Sequence, residues 1–199
     1  MTAHPTAART PKAAPLPRSR LRARLVLAGF AAVGLAALAW AALVQPLPRL
    51  IYNPSDSVPV GWYRVDPLDH RPVSLPRPLS VGSIVLTRLP ADAAALAAQR
   101  GYLPTRVPLL KRVGAIAPQH VCIVAGQVRI DDVPVAAALP ADRLGRPLPS
   151  LQLCRRLESG ELFLLSVTNP ASFDSRYFGP VSASAAIGVA HPIWLEPRP

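Results

Sequence analysis

The pattern of hydrophobic positions divides the chain into three parts. Residues 25–44 form one uninterrupted stretch of apolar and small side chains that contains no charge. A helix of that length is about 30 Å long, which matches the hydrocarbon core of a bilayer. We therefore predict a disordered basic tail over residues 1–24, a transmembrane anchor over residues 25–44 and an exported domain over residues 45–199.

Short runs with a preference for β structure follow the anchor. Three such runs separated by two-residue turns predict a β-meander between Val121 and Val135. Other strands are expected over residues 62–65, 82–89, 108–116, 161–167 and 187–195. The predicted fold class is mainly β, in the form of a curled antiparallel sheet or a partly open barrel.

Two other features complete the predicted fold. Residues 91–100 are rich in alanine and predict a short helix that Gly101 ends. This helix is either a lid or wall of a cleft, because it shortly precedes Lys111, or a helical insertion on the surface. Three aromatic residues late in the chain are assigned to the core: Tyr177, Phe178 and Trp194.

The charge around the apolar stretch predicts its orientation. Six basic residues and no acidic residue precede it: Arg9, Lys12, Arg18, Arg20, Arg22 and Arg24. Positive charge favours the cytoplasmic side, so we expect a single-pass protein of the inner membrane, with its N-terminus in the cytoplasm and its main domain in the periplasm. The alternative is a cleaved signal peptide, because Ala39-Trp40-Ala41 has the small-x-small pattern of a cleavage site.

The net charge of +11 belongs in large part to the tail. All 11 acidic residues follow the anchor, together with 22 − 6 = 16 basic residues, so the exported domain carries a charge of only +5. Its basic residues are dispersed and do not alternate with aromatic residues. We therefore expect the lipid bilayer as a partner and do not expect nucleic acid.

A pair of serines marks the first candidate site. Ser55 and Ser57 come just before Pro59 and Gly61. If they lie on an extended strand that turns behind them, they point the same way and Ser57 is presented at the strand end. A serine hydroxyl becomes a nucleophile only when a base takes its proton. The histidines show no partner in the sequence, although a triad formed in space stays open: His4, His70, His120 and His191.

Lys111 is the other candidate for the base. Arginine supplies 20 of the 22 basic residues, and the two lysines are Lys12, in the tail, and Lys111. Lys111 lies within the apolar segment 108–116, where burial lowers the pKa of a lysine. An arginine in that place is unable to lose its proton. The use of lysine here therefore indicates a role that depends on the neutral amine.

Three motifs, in this order, resemble the bacterial signal peptidase I superfamily. They are Ser-x-Ser-x-Pro at residues 55–59, Lys-Arg-Val-Gly at residues 111–114 and Ser-x-Asp-Ser-Arg-Tyr-Phe-Gly at residues 172–179. Longer matches around them, over residues 53–63, 109–114 and 170–181, are similar to the conjugative-transfer branch, the TraF-type peptidases. Val58 in place of a methionine, and Pro59 one residue sooner, distinguish the chain from housekeeping signal peptidase I.

The resemblance implies a Ser/Lys dyad. Ser57 takes the role of nucleophile and Lys111 that of general base, while the Ser55 hydroxyl and the Ser57 backbone N–H stabilise the oxyanion. No cofactor is implied. Ser172 falls where the family has its lysine-orienting serine.

Asp174 falls at the matching aspartate of the family. A carboxylate beside Lys111 raises the pKa of the lysine, so we expect Asp174 chiefly to pair with Arg176. The alternative is that Ser172 and Asp174 only cap the turn at Asn169-Pro170.

The expected function follows from these motifs. The resemblance implies a membrane-anchored serine endopeptidase that processes an exported, membrane-bound precursor. For the conjugative branch that precursor is a pilin propeptide, matured for a conjugative transfer apparatus and in some cases cyclised. Two alternatives stay open: a general type I signal peptidase, and a non-catalytic membrane-anchored factor for assembly of the apparatus.

The two cysteines of the chain are Cys122 and Cys154. An even pair in an exported domain indicates a disulfide, here closing a loop of about 33 residues, and the alternative is two buried thiols. Two cysteines without clustered histidines or carboxylates do not complete a coordination shell, so we predict no metal site.

Overall fold

The computed structural model describes residues 18–44, 49–68 and 79–197. The chain divides into two compact units, Met1–Pro46 and Leu47–Pro199. Among the described residues of the first unit, one helix, α1, spans Arg18–Val44. Its segment Arg20–Trp40 has a mean hydropathy of 1.8. By length and composition, this helix is able to cross a membrane.

Helix α1 begins earlier than predicted. We expect a disordered tail through residue 24, but residues 18–24 are helical. These residues are mostly arginine and leucine, which favour helix, so the helix extends beyond the purely apolar stretch. Residues 1–17 of the predicted tail lie outside the described residues.

The second unit is built mainly from strands. In chain order they are β1 (Arg49–Asn53), β2 (Gly61–Pro67), β3 (Ile84–Thr87), β4 (Leu109–Ile116), β5 (His120–Val124), β6 (Gln127–Ile130), β7 (Val133–Ala137), β8 (Leu153–Arg156), β9 (Glu161–Leu164), β10 (Val181–Ser182) and β11 (Ala186–Leu195). Helix α2 spans Ala91–Gln99 and the one-turn helix α3 spans Ser175–Phe178. A 3-10 turn, Ala183–Ala185, precedes β11.

The strands form two antiparallel sheets. The seven-stranded sheet has the order β1-β2-β11-β3-β4-β9-β10, and the four-stranded sheet has the order β7-β6-β5-β8. Strand β3 lies between β11 and β4, and all of its residues are buried. The predicted class, mainly β with a curled antiparallel sheet, is confirmed. The predicted meander is β5, β6 and β7, and the helix predicted over residues 91–100 is α2.

Several boundaries differ from the sequence predictions. Strand β9 ends at Leu164 and not at residue 167. Just beyond it, the backbone N–H of Ser166 donates to the Asp174 carboxylate and not to a neighbouring strand. Strand β2 continues to Pro67, two residues beyond the strand predicted over residues 62–65. From the sequence no strand is predicted at β1, β8 or β10, since each is short and lacks a clear apolar alternation.

Buried apolar side chains link the two sheets. Phe163 on β9 and Ala115 on β4 pack against Val121, Ile123 and Val128 of the four-stranded sheet. A second cluster lies against β2, β3 and β4 and includes Val58, from the turn between β1 and β2. That turn is therefore anchored in the core.

The three aromatic residues assigned to the core differ in how deeply they are buried. Tyr177 is buried and Phe178 is partly buried. Trp194 is 54% exposed, so its assignment to the core is wrong. It lies beyond the irregularity in β11 between Pro192 and Trp194, opposite Trp62 near the end of the sheet.

Candidate active site

The turn between β1 and β2 carries Ser57. Strand β1 ends at Asn53 and β2 begins at Gly61, so residues 54–60 form the connection. Ser55 and Ser57 therefore lie on a turn and not on an extended strand, which corrects the expected local geometry. The turn comes before β2 and exposes Ser57 only partly.

Asn53 organises this turn from its buried position at the end of β1. Its Nδ2 donates to the carbonyl oxygens of Ser55, Val58 and Pro59 at 2.8, 3.1 and 3.1 Å. Its Oδ1 accepts from the backbone N–H of Ser55 at 3.2 Å. One amide side chain thus holds three carbonyls of a loop that has no ladder of its own. The sequence analysis assigns no role to Asn53, and its signal is an asparagine at a strand end directly before Pro54.

Two further contacts hold the end of the turn. The Tyr63 hydroxyl donates to the carbonyl of Pro59 at 2.6 Å, and the Tyr63 side chain is fully buried. Gly61 has a φ of +146°, and a Cβ there would lie 2.2 Å from the carbonyl oxygen of Trp194. Only glycine fits this place, because both the backbone conformation and the neighbouring strand exclude a side chain.

Lys111 reaches Ser57 from β4. Its Nζ lies 2.5 Å from the Ser57 Oγ and also contacts the Ser172 Oγ. The two serine hydroxyls are 3.4 Å apart. Only 1% of Lys111 is exposed. The structure thus brings together three predicted site residues that are far apart in the sequence.

The surroundings of Lys111 favour its neutral form. Burial lowers the pKa of Lys111 to about 8; the negative charge of Asp174 opposes this shift, and the positive charge of Arg176 reinforces it. Leu110 and Val113, which lie near Lys111 in β4, are also buried. At a pH near 8 a large fraction of the amine is therefore unprotonated and able to accept a proton.

Asp174 pairs with Arg176, as expected from the sequence. The guanidinium Nε and Nη2 donate to the two carboxylate oxygens at 2.8 and 2.9 Å, and neither side chain is more than 1% exposed. The same guanidinium donates to the carbonyl of Ser172 at 3.0 Å. Asp174 also caps α3 by accepting from the backbone N–H of Arg176. The ion pair therefore fixes the segment that presents Ser172.

The hydroxyl of Ser55 is engaged within the turn. It donates to the Asn53 Oδ1 at 2.8 Å, while the residue itself is exposed and lines the cleft beside Ser57. To donate to an oxyanion, the Ser55 hydroxyl has to rotate away from the Asn53 Oδ1.

A cleft of about 600 Å³ opens at Ser57 and Lys111. Ala97 of α2 and the segment after this helix line it, so α2 is a wall of the cleft. Among the described residues that line the cleft there is no histidine. His191 lies on β11 with its Nε2 3.5 Å from Asp66, and His4 and His70 lie outside the described residues.

Cys122 and Cys154 lie away from this cleft. They occupy directly opposed positions on β5 and β8 and form a disulfide. His120 Nε2 is 4.0 Å from the Cys154 sulfur, and these three residues are the group of potential metal ligands found within the described ranges. With both sulfurs in the disulfide, the group offers one imidazole and no further ligand.

The chain is similar to known proteins over most of its length. The family described as signal peptidase, peptidase S26, matches residues 22–195. A plasmid transfer protein TraF of Escherichia coli is 32% identical over 185 residues, which cover 87% of this chain and 95% of that protein. A conjugal transfer protein TraF of Agrobacterium tumefaciens (strain 15955) is 35% identical over 188 residues, which cover 87% of this chain and 96% of that protein. A crystal structure of a signal peptidase I from Enterococcus faecalis V583 is 19% identical, with a TM-score of 0.36, covering 58% of this chain and 98% of that one.

Proposed function

The chain belongs to the signal peptidase family, peptidase S26, and from this membership we propose that it is a membrane-anchored serine endopeptidase with a Ser57/Lys111 dyad. Membership in the family implies a serine peptidase. One observation carries the assignment of the dyad: a buried lysine amine lies 2.5 Å from a serine hydroxyl at an open cleft.

The reaction uses the neutral form of Lys111. The amine takes the proton of the Ser57 hydroxyl as the oxygen attacks the scissile carbonyl carbon. Collapse of the tetrahedral intermediate breaks the C–N bond, Lys111 returns the proton to the leaving amine, and Ser57 is left as an acyl ester. A second nucleophile then gives its proton to Lys111 as it attacks the ester carbonyl carbon, and Lys111 returns that proton to the Ser57 oxygen as the ester C–O bond breaks and the acyl group is released.

Two donors are proposed to stabilise the oxyanion. The backbone N–H of Ser57 is one, and the Ser55 hydroxyl is the other once it rotates away from Asn53. Because Asn53 holds the carbonyls of this turn, it sets where both donors lie. Asn53 is therefore a positioning residue in this proposal.

Ser172 and the Asp174–Arg176 pair support the base. The Ser172 hydroxyl contacts the Lys111 amine and directs it at Ser57. Arg176 holds the carbonyl of Ser172, and its charge offsets that of Asp174 near the lysine. The pair thus positions Ser172 and limits the rise in the pKa of Lys111 that an isolated carboxylate would cause.

The membrane is the proposed setting of the reaction. Helix α1 is the proposed anchor, and the basic residues before the apolar stretch favour the cytoplasm for the N-terminus and the periplasm for the catalytic unit. In the catalytic unit, exposed aromatic side chains at one end of the seven-stranded sheet suit a lipid headgroup region: Tyr52, Trp62 and Trp194.

The proposed substrate is a membrane-bound, pilin-like precursor of a conjugative transfer apparatus. The names of the TraF relatives place those proteins in plasmid or conjugal transfer, and the proposal extends that setting to this chain. The second nucleophile is either water or the amino terminus of the same pilin, which gives a linear or a cyclic product. A cyclic product is lighter than the linear one by one water, so its mass decides between them.

The test is cleavage of the membrane-embedded pilin precursor by wild type, Ser57→Ala and Lys111→Arg, each shown to be folded. Lys111→Arg keeps the charge and removes the base. Wild type is expected to cut and both variants to be inactive. Activity in Lys111→Arg would exclude the proposed base, and pilus assembly by Ser57→Ala would favour a non-catalytic assembly factor. Cleavage of ordinary secretory precursors would favour a general signal peptidase.

A further inference from the structure

The peptide unit between Asp56 and Ser57 carries one of the two proposed oxyanion donors, the backbone N–H of Ser57. This N–H has no hydrogen-bond acceptor among the described residues. A donor that serves an oxyanion has to be free in this way, and it has to point at the place where the negative charge forms. The direction of this one peptide unit therefore determines how well the donor works.

Asn53 does not hold this peptide unit. Its amide donates to the carbonyl of Ser55, before the unit, and to the carbonyls of Val58 and Pro59, after it. The carbonyl of Asp56, which belongs to the unit itself, bonds to a different side chain. The turn as a whole is thus held by Asn53, while the unit beside the nucleophile is held from another part of the chain.

Thr168 holds the carbonyl of Asp56. Its hydroxyl donates to the Asp56 oxygen at 3.3 Å, across 112 positions of sequence. The peptide unit is trans, and in a planar trans peptide the C=O and the N–H point in opposite directions. A contact that fixes the Asp56 oxygen therefore also fixes the direction of the Ser57 N–H. A hydrogen bond at the carbonyl polarises the unit as well, which makes its N–H a stronger donor.

A short chain of hydroxyls continues behind Thr168. The Ser166 Oγ lies 3.5 Å from the Thr168 Oγ1. A hydroxyl has one proton to donate. That of Thr168 goes to Asp56, so Ser166 is the donor in this contact. The Ser166 Oγ in turn accepts from the backbone N–H of Asn169 at 3.2 Å. All the donated protons in this chain point towards Ser57, so each bond strengthens the next.

The segment behind these hydroxyls also orients the base. Ser166 is buried, and its backbone N–H donates to the Asp174 carboxylate at 3.0 Å. The same carboxylate pairs with Arg176, whose guanidinium donates to the carbonyl of Ser172. One buried ion pair thus anchors both the serine that contacts the base and the hydroxyl chain that reaches the oxyanion donor.

We propose that Thr168 is a positioning residue that aims the Ser57 backbone N–H at the oxyanion. The inference rests on the proposed peptidase function, since an oxyanion forms only when Ser57 attacks a carbonyl carbon. Thr168 is exposed and is not among the described residues that line the cleft, so it acts through the peptide unit and not by touching the substrate. Its effect belongs to the transition state, where the negative charge exists, and not to binding of the precursor.

The test compares Thr168→Val, which keeps the shape of the side chain and removes its hydroxyl, with Thr168→Ser, which keeps the hydroxyl. Each variant is studied as the full chain in detergent, and urea unfolding shows whether it is folded. For Thr168→Val we expect kcat for the pilin precursor to fall about 3-fold to about 10-fold, as for the loss of one neutral hydrogen bond, with little change in KM. Thr168→Ser should restore most of this loss.

A peptide aldehyde supplies a second readout. Its sequence is that of the precursor up to the cut, which the mass of the product gives. The Ser57 oxygen bonds to the aldehyde carbon, its proton passes to Lys111, and the aldehyde oxygen takes the negative charge. The affinity of the aldehyde should fall in Thr168→Val by the same factor as kcat, because both depend on the oxyanion. The pKa of about 8 that Lys111 gives to the pH profile should stay unchanged, which separates this role from an effect on the base.

Thr105→Val is the matched control, because Thr105 is also exposed and lies outside the cleft lining. It should leave kcat and the aldehyde affinity unchanged. Thr168→Ala, which also lacks the hydroxyl, takes the place of Thr168→Val if that variant does not fold. The proposal is overturned by unchanged kcat and aldehyde affinity in the folded variant, by a loss that Thr168→Ser does not restore, or by an equal loss in Thr105→Val.

The peptidase function is judged separately, by the wild type. A wild type that does not cut the precursor removes the peptidase and, with it, the role of Thr168. A wild type that cuts, while folded Thr168→Val cuts equally well, leaves the peptidase and removes only the role of Thr168.

Discussion

The two sheets of the second unit differ in how they treat polar side chains. Every buried polar or charged side chain among the described residues lies in or next to the seven-stranded sheet: Asn53, Thr87, Lys111, Ser166, Ser172, Asp174, Ser175 and Arg176. The four-stranded sheet contributes apolar residues to the buried core and is cross-linked by a disulfide. Residues of both sheets are buried in one shared apolar cluster. The four-stranded sheet therefore does not lack buried polar side chains merely because it is more exposed.

The difference indicates that the seven-stranded sheet carries the reacting groups and that the four-stranded sheet stabilises the fold. A buried polar group weakens folding unless its partners are close to ideal, and a buried charge does so more strongly. Buried polar and charged side chains are therefore expected to collect where the reaction requires them, which here is around Lys111. The four-stranded sheet is stabilised by packing and a covalent link, so changes there should alter stability and leave the reaction intact.

The largest expected effect is on the buried ion pair. Asp174→Asn leaves the Arg176 guanidinium without its charged partner inside the protein, and breaking such a pair costs about 3–5 kcal/mol of folding stability. Urea unfolding of the full chain in detergent measures this loss. The same change also removes the charge that raises the pKa of Lys111.

The matched control for Asp174→Asn is Glu161→Gln. Glu161 pairs with Arg155 at 2.7 Å, but the two side chains are 24% and 38% exposed, so water replaces the lost contact. We expect a clearly smaller loss of stability. Equal losses in the two variants would show that burial does not distinguish these ion pairs.

The second effect concerns the disulfide. Replacing both cysteines, Cys122→Ser with Cys154→Ser, opens a loop whose ends are 32 residues apart, which costs about 3–4 kcal/mol by the loop-entropy estimate. The kcat/KM for the precursor should stay within the error of the wild-type value at a temperature where the variant is folded. A folded double variant with strongly reduced activity would contradict the division of roles between the sheets.

A third effect concerns the orientation of the base. Ser172→Ala removes the hydroxyl that contacts the Lys111 amine, and the loss of a hydrogen bond to a charged or reacting group corresponds to about 10-fold to about 100-fold in kcat. KM should change little, since binding of the precursor does not depend on that contact. Ser150→Ala, in an exposed loop, is the control. An unchanged kcat in Ser172→Ala would leave Ser172 with only a role in the turn.

A fourth effect is the pH dependence of kcat/KM. Below the Lys111 pKa of about 8 the base is protonated, so kcat/KM should fall about 10-fold for each pH unit. A flat profile between pH 6 and 9 would exclude Lys111 as the base.

The same pKa shift has a consequence for folding. The unfolded chain, with an ordinary lysine pKa of 10.5, still binds the proton that the folded chain releases at about 8. Folding stability should therefore gain from Lys111 as the pH rises from about 8 to about 10.5. Lys111→Met, compared by urea unfolding across that window, should lack this gain.

The sequence predicts much of the seven-stranded sheet and the main pair of site residues. Lys111 stands out because the chain otherwise uses arginine beyond its tail, and its apolar neighbours indicate burial. Ser57 stands out through its place before Pro59 and Gly61. Both signals are local, which is why they are readable without the fold. The exposure of Trp194 has no local signal in the sequence, because it depends on where β11 leaves the core.

The supporting contacts of the site have no comparable signal. Asn53 directly before Pro54 indicates a turn, but nothing in the surrounding residues predicts that its amide holds three carbonyls of that turn. These contacts arise from the packing of the loop against the strand ends. They depend on partners that no spacing rule connects.

The sequence by itself therefore determined the apolar span, the order of most strands and the identity of the candidate nucleophile and base. The span and the strands follow from hydrophobic periodicity, and the nucleophile and base follow from residue choice together with the three motifs that resemble the signal peptidase I superfamily. Only the tertiary structure decided that Lys111 meets Ser57, 54 residues away, and Ser172, 61 residues away. The physical reason is that strand pairing sets which distant residues share a buried space, and the lowered pKa of the lysine exists only inside that space.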